Sequence, residues 1–303
     1  MGNEKRKNDS NQKSLRVRFL KSVPIYLMML PGLIYLICNN YLPMFGIVIA
    51  FKKVNWQKGL WGSEWCGLDN FKYLFQSEDS FIMIRNTVLY NILFIVLGTV
   101  CAIAVAVLLN EVVARKFKSM YQSLILLPYL MSWVVVSYLV YAFLSNDTGF
   151  INNSLLPFFN AQPINWYQES EYWPFILTFV NLWKSIGFSM IIYYASIVGI
   201  NGEYYEAARL DGAGKWQQII HITVPLLKPT IITLFIMNVG RIFASDFGLF
   251  YQVPRNQGAI YSTTQTIDTY VYNALMKLGN TSMSSAASVL QSIVGFVLVI
   301  TAN

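Results

Sequence analysis

Charge is scarce in this chain. Lysine, arginine, aspartate and glutamate together make up 12% of its 303 residues, against about 25% in soluble globular domains. That shortfall excludes an ordinary water-soluble domain. It excludes disorder too, because an unfolded chain needs high charge and few apolar residues, and 55% of this sequence is apolar. Cysteine occurs three times, at Cys38, Cys66 and Cys101, too far apart for a zinc site or a disulfide framework. His221 is the single histidine, which excludes a histidine-rich metal centre. Eighteen glycines are too few for a collagen-like repeat. With a mean hydropathy of +0.45, the class that remains is a polytopic membrane protein.

A helix crosses the hydrocarbon with about 20 mostly apolar residues. Stretches of that kind occur at Thr87–Leu109, Leu124–Phe143, Pro174–Val198, Thr230–Phe250 and Ser284–Ala302. A further apolar region, Val23–Phe51, contains Asn39, Asn40 and Pro43. It reads as a span to about Cys38 followed by an interfacial or re-entrant segment, Tyr41–Phe51, with one long kinked helix as the alternative. The pattern predicts an all-α, six-span fold. The apolar run after the basic start has no small-residue cleavage site, so the first helix is expected to be retained.

Basic residues near span ends set orientation. Thirteen fall in segments 1–22, 110–120 and 199–229, and seven in 41–86, 144–173 and 251–283. Both termini are therefore expected in the cytoplasm, with 1–22 a cytoplasmic tail, 23–303 the membrane domain and 41–86 an extracellular segment. The net charge of +7 follows this asymmetry and implies lipid, not nucleic acid, as the surroundings.

The inner segment 199–229 carries the most distinctive pattern. Glu203 to Leu210 consists of good helix formers with acids in the first turn, where the helix dipole favours them. Gly212 and Gly214 allow a tight turn, Trp216 to Ile222 reads as a second short helix, and Pro225 and Pro229 mark entry to the next span. A helix–turn–helix on the inner membrane face is the expectation. Glu206-Ala207-Ala208, three residues, Gly212, nine residues and Ile222-Thr223-Val224-Pro225 resemble the EAA motif of permease subunits of bacterial ABC importers, with Val224 in place of leucine. The resemblance implies a type I importer permease fold and an ATPase-coupling role for Glu206, Ala207, Ala208, Arg209, Asp211, Gly212, Ala213, Ile222 and Pro225. It also implies partners: a second homologous permease, two copies of a cytoplasmic ABC ATPase, and an extracellular solute-binding protein. ATP and Mg would be held by the ATPase copies and no cofactor by this chain. The string Ala213-Gly214-Lys215 is no phosphate-binding loop, since Arg209 stands where the first glycine belongs and Trp216 where the hydroxyl belongs.

Outside the inner segment, Gly59-Leu60-Trp61-Gly62-Ser63-Glu64-Trp65 and Gly67-Leu68-Asp69-Asn70-Phe71 resemble carbohydrate permeases of the LplB-like branch. Asn86-Thr87, Leu108-Leu109-Asn110-Glu111 and Thr269-Tyr270-Val271-Tyr272 agree with it. The resemblance implies an oligosaccharide cargo and location in a bacterial plasma membrane. Sugar sites combine aromatic rings with neutral polar groups, and Trp133, Tyr138, Asn181, Trp183 and Asn238 supply both within spans, although aromatic residues also populate interfacial belts. Lys184, Arg241 and Asp246 are charges inside spans, where they are costly unless paired or facing water. Either Asp246 pairs with Arg241 or Lys184, or a cation lines the substrate path and meets an acidic sugar. The alternatives in function are a stand-alone carrier or channel, which leaves the inner segment unexplained, and an ABC permease for a non-sugar solute. An intramembrane enzyme lacks an acid–base or nucleophile constellation.

Overall fold

The computed structural model describes residues 22–76 and 78–302, so the tail expected at 1–22 lies, except for Ser22, outside the described residues. The helices are α1 (Ser22–Phe51), α2 (Asp69–Gln76), α3 (Glu78–Glu111), α4 (Arg115–Leu130), α5 (Trp133–Leu144), α6 (Trp173–Val198) and α7 (Glu203–Leu210). They continue with α8 (Lys215–Leu226) and α9 (Lys228–Val239), then α10 (Ile267–Met276) and α11 (Thr281–Ala302). α1, α3, α6 and α11 are each long and apolar enough to cross a bilayer, and the bent pairs α4–α5 and α8–α9 bring the spans to six. Among the described residues, β-structure is one hairpin, Lys52–Lys53 against Glu64–Trp65.

Three spans differ from the sequence expectation. The first span does not stop at Cys38. Its helix runs to Phe51, because a π-helical turn at Ile37–Tyr41 absorbs the asparagines and Asn39 Nδ2 donates to the Tyr35 carbonyl at 3.1 Å. Pro43 then falls in the first turn of the following stretch, where its missing N–H costs nothing. The separate segment 41–51 is thus the C-terminal end of the same helix. The third span is not one helix: it turns by 95° between Leu130 and Trp133. Nor is Thr230–Phe250 continuous, since α9 stops at Val239 and the fifth span is α8 and α9 bent by 54° at Leu227.

α3 and α6 pack along their length, where fully buried Ala102 and Ala106 bring the backbones close. Met190, Tyr193, Ile197 and Leu227 complete that core. Toward the other end of the bundle, Tyr90, Val136, Trp173, Leu177 and Phe250 form a second cluster. The hairpin and α2 cap the end of α1: Asn70 Nδ2 donates to Ala50 O at 2.8 Å and to Lys52 O at 3.2 Å. Asn86 and Thr87 hold α3 to the segment before α10, through Asn86 Nδ2 to Gln265 O at 2.9 Å and Ile267 N to Thr87 Oγ1 at 3.0 Å.

α6 crosses α4 at Gly187, where an added Cβ would lie 2.2 Å from the Ile125 carbonyl oxygen; at Gly98 of α3 the nearest atom would be 4.0 Å away. Gly187→Ala should therefore force the helices apart and lower the melting temperature of the detergent-purified protein. Gly98→Ala should leave it unchanged or raise it, by about 0.5–1 kcal/mol of helix propensity. Thermal-shift size-exclusion chromatography of both variants checks the contrast.

Candidate functional site

The inner segment folds as the sequence predicts, and its geometry is set by hydrogen bonds. Two residues before α7, Asn201 Oδ1 accepts from the N–H of Glu203, the first residue of the helix, at 3.1 Å. α7 ends with Ala213 N donating to Ala208 O at 2.8 Å and Gly212 N to Arg209 O at 3.1 Å, the two bonds of a Schellman turn. Gly212 carries φ +81°, the left-handed value that turn requires. Gly214 N donates to Gln217 Oε1 at 2.8 Å, starting α8. α8 runs on to Leu226 rather than ending at Ile222, so Pro225 lies in helix and the break falls two residues beyond it.

One contact closes this hairpin on itself and a second fastens it to the bundle. Tyr205 Oη and Thr223 Oγ1 lie 2.9 Å apart, joining α7 to α8. Lys215 pairs with Glu111 at the end of α3. Glu206, Ala207, Arg209, Asp211 and Gly212 are exposed, and Leu210 and Trp216 present 90% and 74% of their surface. Ala208, Ala213 and Ile222 are half-buried. Behind the outward face a polar cleft of about 410 Å³ is lined by Glu111, Lys118, Tyr205, Glu206 and Arg209. The hairpin thus offers an apolar rim around small residues and charges, with its backbone locked.

The second region is where two spans lose their helix. At the 95° turn, Lys184 Nζ donates to the carbonyls of Tyr129 at 2.9 Å and Pro128 at 3.5 Å, supplying donors that the broken α4 lacks. Beyond α9, Asn91 Nδ2 donates to Ile242 O and Ala244 O, both at 3.0 Å, and Gln291 Nε2 to Phe243 O at 2.8 Å. Asp268 Oδ2 accepts from Ser245 N at 2.6 Å and Ser245 Oγ at 2.8 Å. Asp246 caps the next turn, accepting from Gly248 N at 2.9 Å and Leu249 N at 3.3 Å. Its other oxygen accepts from Trp133 Nε1 at 2.9 Å, joining the two breaks. The Trp133 ring also lies 4.9 Å from Lys184 Nζ and packs on Gly248, where a Cβ would sit 2.0 Å from its Cδ1.

Beside these breaks a cavity of about 700 Å³ opens between α3, α6 and α9. Of the residues expected on a substrate path, Asn181, Asn238, Arg241 and Asp246 line it, together with Ser189 and Ser245. Trp133 and Lys184 do not line it and belong to the helix breaks beside it. Tyr138 belongs to another cluster, with the Arg255 guanidinium 6.0 Å from its ring and 4.2 Å from that of Tyr141; Tyr167 packs there too, its phenol pushed up by burial. Trp183 is 37% exposed on α6, away from the cavity. The expected pairing of Asp246 with Arg241 or Lys184 is not made: among the described residues the ion pairs are Lys58–Glu64, Lys72–Asp69 and Lys215–Glu111. Asn91, Gln291 and Asp268 went unnoticed in the sequence. For Asn91 and Gln291 the available signal was an isolated amide within an otherwise apolar run; Asp268 is a carboxylate in a polar stretch and carries no such signal.

Residues 85–303 match the family described as binding-protein-dependent transport system inner membrane component. The polygalacturonan/rhamnogalacturonan transport system permease protein YteP of Bacillus subtilis is 37% identical over 96% of this chain and 90% of its own length. Protein LplB of the same organism is 34% identical over 92% of this chain and 87% of its own. A crystal structure of a bacterial alginate ABC transporter, in complex with alginate pentasaccharide-bound periplasmic protein, contains a chain of 32% identity. It superposes with a TM-score of 0.85 and a coverage of 94% of both chains. The six spans, the inner hairpin and these matches together assign the chain to the inner membrane components of binding-protein-dependent transport systems, as a multi-pass transporter subunit and not an enzyme.

Proposed function

We propose that this chain is the permease subunit of an ATP-driven importer that moves an oligosaccharide from an extracellular solute-binding protein into the cytoplasm. The observation that carries the reading is the α7–α8 hairpin, whose exposed Glu206 and Ala207 are held by a turn that only Gly212 fits well. Such a rigid, shallow knob suits a cleft on a cytoplasmic ATPase. In this reading two ATPase copies hold ATP and Mg, and a second, homologous permease completes the path. The oligosaccharide is supported by YteP's named polymer and by the pentasaccharide bound in the alginate transporter's complex.

The connections available for coupling follow from the contacts. A push on α7 passes through Tyr205 and Thr223 to α8, which is jointed to α9 at Leu227. α9 leads directly into the broken segment beside the cavity. The Lys215–Glu111 pair gives a parallel route into α3.

Gly212→Val places a β-branched residue at positive φ, at a local strain of about 1–3 kcal/mol, on an exposed turn outside the bundle core. Expression should be normal. Uptake and binding-protein-stimulated ATP hydrolysis in reconstituted vesicles should both fall by roughly tenfold or more, equivalent to about 1.4 kcal/mol of barrier per decade. Glu206→Lys, which reverses the charge on the knob, should do the same. Near-normal coupled activity in both variants contradicts the ATPase-contact role.

Orientation is tested separately. In a variant lacking the native cysteines, Ala213→Cys should resist an impermeant thiol reagent applied to intact cells, and Asn153→Cys should react. The reverse pattern inverts the membrane topology.

A further inference from the structure

Arg241 stands apart from the other intramembrane charges. Lys184 has two carbonyl partners and an aromatic face, and Asp246 has three donors. Among the described residues the Arg241 side chain has no ion pair and no hydrogen-bond partner, yet it lines the cavity. Its backbone is fixed: Arg241 N donates to Asn238 O at 3.0 Å and Arg241 O accepts from Ala244 N at 2.8 Å. Asn91 and Gln291 hold the carbonyls that follow.

The local charge balance leaves that cation uncompensated. Asp246 lines the same cavity, but it bonds the Trp133 indole N–H, and the Lys184 ammonium sits 4.9 Å from the centroid of that same ring, so those two charges offset one another. Arg241 remains as net positive charge with five donors in a planar fork, the geometry that matches a carboxylate. Around it Asn181, Ser189 and Asn238 offer amide and hydroxyl groups that have no partner among the described residues. A neutral sugar would need the amides and hydroxyls alone. Arg241 is exposed to the cavity, and because an unpaired guanidinium within a membrane-spanning segment is costly, an incoming anionic group relieves that cost. The volume of about 700 Å³ falls in the range of small-molecule sites, about 300–1,000 Å³.

We infer that Arg241 is a specificity-determining residue and that the translocated oligosaccharide carries carboxylates, as a uronate-containing chain does. The inference rests on the oligosaccharide-permease reading and narrows it to an acidic substrate. A uronate carboxylate sits on Arg241, and the amides of Asn181 and Asn238 take ring hydroxyls.

The test uses the complete transporter in vesicles, with saturating binding protein and two probes: tetragalacturonate, and the same tetrasaccharide with its carboxylates reduced to primary alcohols. The readout is the ratio of their initial uptake rates, measured within one preparation and so independent of expression. The wild type should favour the acidic probe. Arg241→Gln should lower the ratio by about tenfold or more, since a charge-assisted fork is lost. Asn238→Asp, which puts a negative charge beside the fork, should lower it as well and serves if the first variant fails to assemble. The binding protein is common to all preparations, so a change in ratio originates in this chain. An unchanged ratio in either assembled variant, or a wild type that prefers the reduced probe, overturns the inference and leaves the oligosaccharide reading standing. A wild type that imports neither probe overturns both.

Discussion

Backbone groups in hydrocarbon have no water to bond, and an unsatisfied one costs several kcal/mol. This chain breaks its helices twice within its spans, so everything near the breaks is arranged around supplying partners. Lys184 serves the carbonyls at the end of α4, while Asn91 and Gln291 serve those that follow α9. Trp133 and Asp246 then tie one break to the other. A lysine at the bilayer centre costs about 2.5–3.5 kcal/mol on insertion scales; two carbonyls and an indole face return much of that here.

The breaks have a consequence for motion. A continuous helix transmits a push along its axis, whereas a jointed one lets its halves reorient. α8 and α9 meet at Leu227, a fully buried residue in the core with α3 and α6. The joint therefore pivots against packing rather than in open lipid. The inner hairpin is built the opposite way, with a locked turn and two fasteners, and so suits a handle. A rigid handle on a jointed span is what an importer driven from the cytoplasm requires.

The inner hairpin was legible because its signals are local. Acids at a helix start and a glycine two residues past the end act over a few positions, and α7 has the bounds the sequence predicts. The span centres were legible for the same reason. The breaks were not, because their causes are distant in sequence. Met131 and Ser132 look like ordinary span residues, and the partner of that break, Lys184, is more than fifty residues away. The asparagines at 39 and 40 misled in the other direction, since a π-turn absorbs them within a continuous helix. In the sequence Arg241 and Asp246 read as charges needing an explanation, either a pair or a cation lining the path, and nothing local decides between the two. The fold gives Asp246 to backbone amides and Trp133, and leaves Arg241 facing the cavity.

The account depends most on the hairpin meeting an ATPase. The direct measurement places the photo-crosslinking residue p-benzoylphenylalanine at position 207, irradiates membranes containing the assembled transporter, and identifies the adduct by mass spectrometry. The account predicts one adduct, joining this chain to the ATPase subunit, and none to that subunit when the same residue stands at position 56 in the hairpin at the other end of the bundle. An unmodified chain at position 207, or an adduct only to lipid or to another membrane subunit, would contradict it.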